Sequence, residues 1–264
     1  MSSNEKTTNS KFTAKNLFNM SDWTCVVTGG GTGIGLMISQ AVSNVVNTWG
    51  SSLAHTQGQL IAIECDITDK KSISNLLNNA GVTFGRSDVT KGDESAEGLS
   101  KELFESEDIE KWEDVYRTNV VGYFFMTAAF IPLLAATSST HRGRTAAVIN
   151  ITSISGITRT SQHQFKYNVS KGAAIHLNTL LAQELRRNAV NVRVNSVAPG
   201  IFPSDEMNKS SILTGEDYGE KKGIPTGRPG EDEDMAQAVV MLACNQYAYG
   251  QTIAVEGGYL LEHP

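Results

Sequence analysis

Apolar residues along this chain fall into short unbroken runs that alternate with longer stretches of helical period. Thr24 to Thr28, Leu60 to Cys65 (LIAIEC), Ala146 to Thr152 (AAVINIT), Asn191 to Val197 (NVRVNSV) and Thr252 to Val255 (TIAV) read as strands. They lack the two-residue alternation of a half-exposed sheet, so both faces are expected to be covered, as in parallel sheets. Between them, apolar positions recur at helical spacing over Ile34 to Val46, Asp69 to Leu77, Ile109 to Ala136, Tyr167 to Arg187 and Glu231 to Cys244. The third of these is expected to break at Pro132, and the last opens with EDED, which suits the positive end of a helix dipole. Strands alternating with helices predict a doubly wound α/β fold. Met1 to about Lys15 reads as a loose polar tail, residues 16–264 as one domain, and Gly85 to Asp108 and Pro203 to Thr226 as long loops.

Composition narrows the field. With 264 residues, 40% hydrophobic, the chain has ample apolar material for a core. A net charge of −6 without a Lys/Arg cluster argues against nucleic acid and against anionic membrane surfaces, since both require a positive field. Cys25, Cys65 and Cys244 lie in or beside apolar runs and read as buried free thiols of a reducing compartment. No signal-peptide core and no segment approaching ~18 uncharged apolar residues is read from the pattern, so a cytoplasmic, membrane-free protein is expected. The five histidines lack ligand spacing with one another or with the cysteines, and no metal site is expected.

Three groups of residues suggest chemistry. TGGGTGIG, Thr28 to Gly35, directly follows the first strand and opens a helix, where glycines let the backbone approach a pyrophosphate. Its spacing, Gly29, Gly33 and Gly35, does not fit GxGxxG, and alone it serves equally as a tight connection. Tyr167 and Lys171, in YNVSK, stand four apart on one helix face, where an ammonium favours phenolate and brings the phenol closer to use near neutral pH. Without support such a pair is usually a solvated helix face. Ser153 follows the AAVINIT strand at the end where ligands meet a parallel sheet. Asn79, Ala80 and Gly81 form an NNAG turn, Asn119 sits in the helix WEDVYRTNVVGYF, and Pro199 and Gly200 follow another strand. Each has an ordinary explanation as cap, turn former, exposed amide or punctuation; their joint order does not.

TGGGTGIG, CDITD, NNAG, the helix Asn, ITS, YNVSK, APG and GQTIAVEGG occur, from about Trp23 to Leu261, in an order that resembles the short-chain dehydrogenase/reductase family, and within it the ketoacyl-reductase-like and secondary-metabolite reductases. The resemblance implies a Rossmann-type fold and an NAD(P)(H)-dependent oxidoreductase interconverting a carbonyl and a secondary alcohol on a small or medium organic substrate, with reduction favoured. It implies Tyr167 as proton donor or acceptor, Lys171 as the residue that lowers its pKa and holds the nicotinamide ribose, Ser153 as the group orienting the substrate oxygen, and Asn119 as the holder of a relay water. Ser155 is the weaker candidate for the orienting role. The cofactor is expected to be NADP by family prevalence, with NAD as the alternative. Its contacts would come from Gly29, Gly31, Thr32, Gly33, Ile34, Gly35, Asp66, Ile67, Asn79, Ala80, Gly81, Tyr167, Lys171, Pro199, Gly200 and Ile201. Residues 203–226 would form the substrate lid, including Met207, Ile212, Leu213 and Tyr218, with His163 at the same entrance or merely in an exposed loop. A homodimer or homotetramer through helices Asn119 to Ala136 and Tyr167 to Arg187 is expected on the same grounds.

The chain departs from the family between the glycine turn and NNAG. No strand stands in the usual second place, and the fourth is reduced to Leu76 and Leu77. Thr28 to Leu60 has the length of one βαβ unit, ~30 residues, so LIAIEC is expected to occupy the place beside the first strand. Asp66 would then approach the adenosine ribose and favour the free 2′-hydroxyl of NAD; if the sheet instead keeps the family register, Asp66 stays near the adenine ring and this preference vanishes. The rival reading is a shortened relative, weak or silent in catalysis, acting as a binding or assembly partner.

Overall fold

A computed structural model describes residues 13–18, 20, 23–50, 95–140, 143–203 and 223–264. Leu60 to Cys65, Asp69 to Leu77, the NNAG turn and most of the lid lie outside the described residues, and so do Asp66, Ile67 and Cys65. A short α1 (Ala14–Leu17) crosses the expected edge of the tail. After the glycine turn come α2 (Gly33–Gly50), α3 (Ala96–Glu105) and α4 (Ile109–Tyr116). A π-helical stretch, Arg117–Gly122, leads into α5 (Tyr123–Thr140). Then follow β1 (Ala146–Ile151), α6 (Phe165–Arg187), β2 (Val192–Pro199), α7 (Asp232–Cys244), β3 (Thr252–Val255) and α8 (Tyr259–Glu262).

Among the described residues, three strands form a parallel sheet in the order β1-β2-β3, with Ile149 opposite Asn195 and Ser196 opposite Thr252. All eight residues of β2 are buried, because it has a strand on each side and helices over each face. Alternate residues serve different cores: Val192 and Val194 pack with Leu181, Ala182 and Leu185 of α6, whereas Val197 packs with Met37 and Ile38 of α2 and Met235, Val239 and Leu242 of α7. This explains the missing polar alternation: each face of the sheet meets a helix layer. The result is a single α/β domain.

Buried polar groups close the ends of these elements. Arg193, fully buried on β2, donates to the carbonyls of Leu242 (2.7 Å), Ala243 (2.6 Å) and Asn245 (3.1 Å), satisfying the C-terminal end of α7. At the other end of α7, the Glu231 N–H donates to Asp234 Oδ2 (2.9 Å), and Arg228 Nη1 holds the same oxygen at 2.6 Å. The acidic opening read from EDED is therefore a helix cap as well as a dipole partner.

Five expectations are corrected. Gly85 to Asp108 is not one long loop, since Ala96–Glu105 forms α3, capped by Ser95 accepting from the Gly98 N–H. Residues 23–27 adopt no strand: Trp23 and Val27 pack against hydrophobic clusters, but the segment forms no ladder with the described residues, and its expected neighbours lie outside them. Pro132 does not break its helix, since α5 runs through it; the irregularity sits earlier, at Arg117–Gly122. Cys25 is exposed, and Cys244 is only half-buried. Among the described residues, one helical run, Ile109–Ser138, is by length and composition apolar enough to cross a membrane, with mean hydropathy 1.8 in its most apolar window. On it Val121, Phe124 and Leu133 are exposed.

Candidate active site

The site grows from the carboxyl end of β1. Thr152 binds the Val197 carbonyl twice, through its N–H (2.8 Å) and its hydroxyl (2.9 Å), which fixes the chain where it leaves the sheet. Ser153 then caps a turn of 3-10 helix, Ile154–Gly156, by accepting from the Ser155 N–H at 3.1 Å. Gly156 is required here: a Cβ would fall about 2.5 Å from the backbone of Lys171 and Gly172, so only glycine lets this turn lie against α6.

On α6, Tyr167, Ser170 and Lys171 share the face turned to that turn. Tyr167 is hydrogen-bonded to Ser153. Lys171, 2% exposed, donates from Nζ to the Ile151 carbonyl at 3.0 Å, and Nζ lies 5.7 Å from the centre of the Tyr167 ring. Asn119 enters from the π-helical stretch, whose wider turn carries its side chain inward to 1% exposure. Asn119 Nδ2 donates to Ser170 Oγ (2.9 Å), and Ser170 Oγ donates to the Tyr167 carbonyl (2.8 Å). Asn119 Oδ1 is buried without a hydrogen-bond partner among the described residues. Thus Asn119, Ser153, Tyr167 and Lys171, separated by up to 52 positions, are brought into one cluster.

Burial dominates its electrostatics. The Tyr167 phenol is pushed above its ordinary value, with the Ser153 hydrogen bond pulling the other way. Burial lowers Lys171 itself to about 7, so at neutral pH it faces the phenol as a mixture of ammonium and neutral amine. A phenol kept protonated suits donation to a developing alkoxide.

Two residues were missed by sequence reasoning. Tyr123 Oη donates to the Ile151 carbonyl at 2.5 Å, sharing that acceptor with Lys171, and its ring centre lies 5.7 Å from Nζ. Its position one helical turn after Asn119 was the available signal. Lys166, next to Tyr167 and almost fully buried, pairs with Glu107 at 2.9 Å, and Trp112 Nε1 donates to the same carboxylate oxygen at 3.1 Å. Nothing in the one-dimensional pattern signals that pair.

The cofactor half begins at the glycine turn. Gly29 has φ +65°, and a Cβ on Gly35 would run into the Gly29 carbonyl, so the turn closes tightly onto the start of α2. A Cβ at Gly29 or Gly31 would meet nothing within 4 Å, leaving an open backbone surface there. Such a surface at a helix N-terminus fits a dinucleotide pyrophosphate. Thr32, Gly33 and Ile34 continue the turn into α2. Pro199 ends β2, Gly200 N–H donates to Val255 (2.8 Å), and the Ile201 carbonyl accepts from Gly230 (2.9 Å), so this edge is held by backbone bonds. Asp66, Ile67, Asn79, Ala80 and Gly81 are outside the described residues, as is the test of Asp66 against the ribose.

Comparison with known proteins agrees with this geometry. A family model described as "Enoyl-(Acyl carrier protein) reductase" matches residues 32–260. A rhamnolipid-biosynthesis 3-oxoacyl-[acyl-carrier-protein] reductase of Pseudomonas aeruginosa is 30% identical over 258 residues, covering 92% of this chain and 98% of its own. A short-chain dehydrogenase/reductase of the fungus Diaporthe leptostromiformis is 28% identical, covering 95% and 96%. Among solved structures, the Pseudomonas aeruginosa RhlG/NADP active-site complex superposes with a TM-score of 0.69 at 27% identity, covering 92% of this chain and 98% of the other. The fold and site define a dinucleotide-dependent oxidoreductase. The chain belongs to the short-chain dehydrogenase/reductase family.

Proposed function

We propose that this chain, an NAD(P)-dependent oxidoreductase acting between C=O and CH–OH groups, works chiefly as a ketoreductase, with Tyr167 as proton donor and Ser153 as its partner on the substrate oxygen. The observation that carries this reading is the hydrogen-bonded Ser153–Tyr167 pair backed by buried Lys171. Two hydroxyls converging on one point suit a carbonyl oxygen, which gains charge as it is reduced. When bound, a nicotinamide dinucleotide supplies the hydride. The residues do the rest: Ser153 orients the oxygen, Tyr167 gives it a proton, and Lys171, charged, stabilises the phenolate left behind. Asn119, bonded to Ser170, steadies the helix face carrying both. Gly29, Gly31 and the start of α2 would hold the pyrophosphate, and Pro199 to Ile201 the nicotinamide end. NADP(H) is the preferred form, supported by the NADP complex of the similar Pseudomonas structure. Residues 16–264 act as one catalytic domain, with 203–226 as lid and 1–15 as a tail.

The test is thermal shift with NADPH and NADH, followed by NADPH oxidation with a 3-oxoacyl thioester and with the matching 2-enoyl thioester. A cofactor-induced rise in melting temperature and turnover of the ketone alone are expected. Absence of binding to either nucleotide refutes the reading and favours a silent relative.

A cytosolic homodimer or homotetramer completes this reading. The exposed apolar residues Val121, Phe124 and Leu133, together with Val169 and Leu180 of α6, give a second copy of the chain an apolar surface to cover. Light scattering should give at least twice the chain mass, and a single-chain mass contradicts it.

A further inference from the structure

The turn that carries Ser153 is braced from an unexpected direction. Ser155, buried two residues later, donates from Oγ to Gln162 Oε1 at 2.7 Å. Gln162 Nε2 in turn donates to Tyr259 Oη at 3.0 Å, so one carboxamide ties the 3-10 turn to α8. The Tyr259 ring rests on the His263 imidazole, with centres 4.2 Å apart and planes tilted by 30°. Thr158 Oγ1 donates to the His263 carbonyl at 2.8 Å, a second tie between the same two segments.

The backbone explains why such ties are needed. Gln162 and His163 have φ of +51° and +55°, two consecutive non-glycine residues in the left-handed region. That conformation persists only where surrounding contacts hold it. The strained pair lies between the two reacting hydroxyls in sequence: nine residues after Ser153 and five before Tyr167. Release of the pair would loosen the loop joining them. Ser155 Oγ, meanwhile, is committed to Gln162, which leaves Ser153 as the hydroxyl paired with Tyr167.

We propose that Gln162, anchored by Tyr259, is a positioning residue that holds the left-handed loop 158–164 closed and so sets the Ser153–Tyr167 pair in register for proton delivery. The proposal rests on the ketoreductase reading for its kinetic consequence, but the brace itself is a property of the loop. Gln162→Met keeps the side-chain length and removes both hydrogen bonds. Gln162→Glu keeps both, since a carboxylate accepts from the Ser155 and Tyr259 hydroxyls. Tyr259→Phe removes only the anchor.

The experiment compares these variants and the double variant Gln162→Met/Tyr259→Phe by melting temperature, NADPH affinity, kcat and KM for the ketone, and backbone hydrogen exchange over 155–164. Expected for Gln162→Met is a kcat about 10- to 100-fold lower with KM and NADPH affinity near wild type, because misplaced hydroxyls weaken the transition state more than binding. Exchange over 158–164 should accelerate while the melting temperature holds. Gln162→Glu should recover most of the kcat, and the double variant should lose no more than Gln162→Met alone. Wild-type kcat in Gln162→Met, additive losses in the double variant, or unchanged exchange over 158–164 would each overturn the proposal. If wild type binds no nucleotide and turns nothing over, the ketoreductase reading fails alone, and the exchange comparison still decides the brace.

Discussion

Replacing Lys171 by methionine should make the protein more stable in acid while removing its activity. Lys171 is 2% exposed, and burial lowers its pKa from 10.5 to about 7. In the unfolded chain the amine stays charged up to about pH 10.5, so folding must strip its proton, or bury the charge, at every pH below that. At ~1.4 kcal/mol per pKa unit, this penalises the folded state by about 2 kcal/mol at pH 9 and by about 5 kcal/mol at pH 6, where both states are protonated. The sign follows from proton counts: between pH 7 and 10.5 the unfolded state binds more protons, so wild-type stability from this group rises with pH and is lost as pH falls toward 7. Methionine carries no such penalty. The Ile151 carbonyl that loses Lys171 keeps the Tyr123 hydroxyl at 2.5 Å, so that acceptor is not orphaned. The stability difference, variant minus wild type, should therefore grow by about 3 kcal/mol from pH 9 to pH 6. For a domain of this size that is roughly 6 to 12 °C in melting temperature. Calorimetry of both proteins at the two pH values reads it directly. An equal difference at both, or a variant less stable than wild type at pH 6, refutes the reasoning, because the contacts of the ammonium would then outweigh its desolvation.

Other outcomes follow from the same geometry. Tyr167→Phe should lower ketone reduction at least about 100-fold, while melting shifts by no more than the ~1 kcal/mol of one hydrogen bond; steady-state kinetics and thermal melting check both halves. Reduction, followed as kcat/KM, should fall as pH rises through about 7, since Lys171 loses its charge there while Tyr167 stays protonated. A flat profile from pH 6 to 9 argues against the role given to the lysine. Arg193→Met should cost about 2 to 5 kcal/mol, because the Leu242 and Ala243 carbonyls at the end of α7 lose their donor in the core. Denaturant unfolding measures that loss, and a change below 1 kcal/mol would mean that water reaches those carbonyls.

The extent to which the sequence anticipates this molecule depends on the range over which each feature is determined. Thr252 to Val255 is a strand with the predicted ends, and α7 begins where EDED places it, because both boundaries are set by neighbouring residues. Tyr167 and Lys171 could be paired on a helix from spacing alone. The Pro132 expectation failed because proline's local cost was weighed without the packing of Ile131 and Leu134 against the α6 core, which holds the helix through it. The first strand failed for the opposite reason: β-branched residues favour extended chain, but a strand exists only where a neighbour completes its ladder. Asn119 was picked out by its motif, yet the π-helical turn that buries it is invisible in a periodicity of 3.6. Gln162 and Tyr259, 97 positions apart, could be joined only by the fold.

These ranges bear on the departure from the family pattern between the glycine turn and NNAG. Among the described residues, the direct contacts described for the proton-handling residues come from residues 119–200, with Tyr259 bracing their loop from outside: Ile151 receives Lys171 and Tyr123, Thr152 is fixed by Val197, and Tyr167 meets Ser153. The parallel pairing of β1 with β2 supports that half. The dinucleotide half is different, since apart from the turn at Thr28 to Gly35 and the edge at Pro199 to Ile201 its expected contacts fall within 66–81. An alteration there therefore weakens cofactor affinity before it disturbs Tyr167. A high KM for NADPH with a normal kcat at saturation is the signature of that division, whereas a low kcat at saturating cofactor would show that the two halves are mechanically coupled.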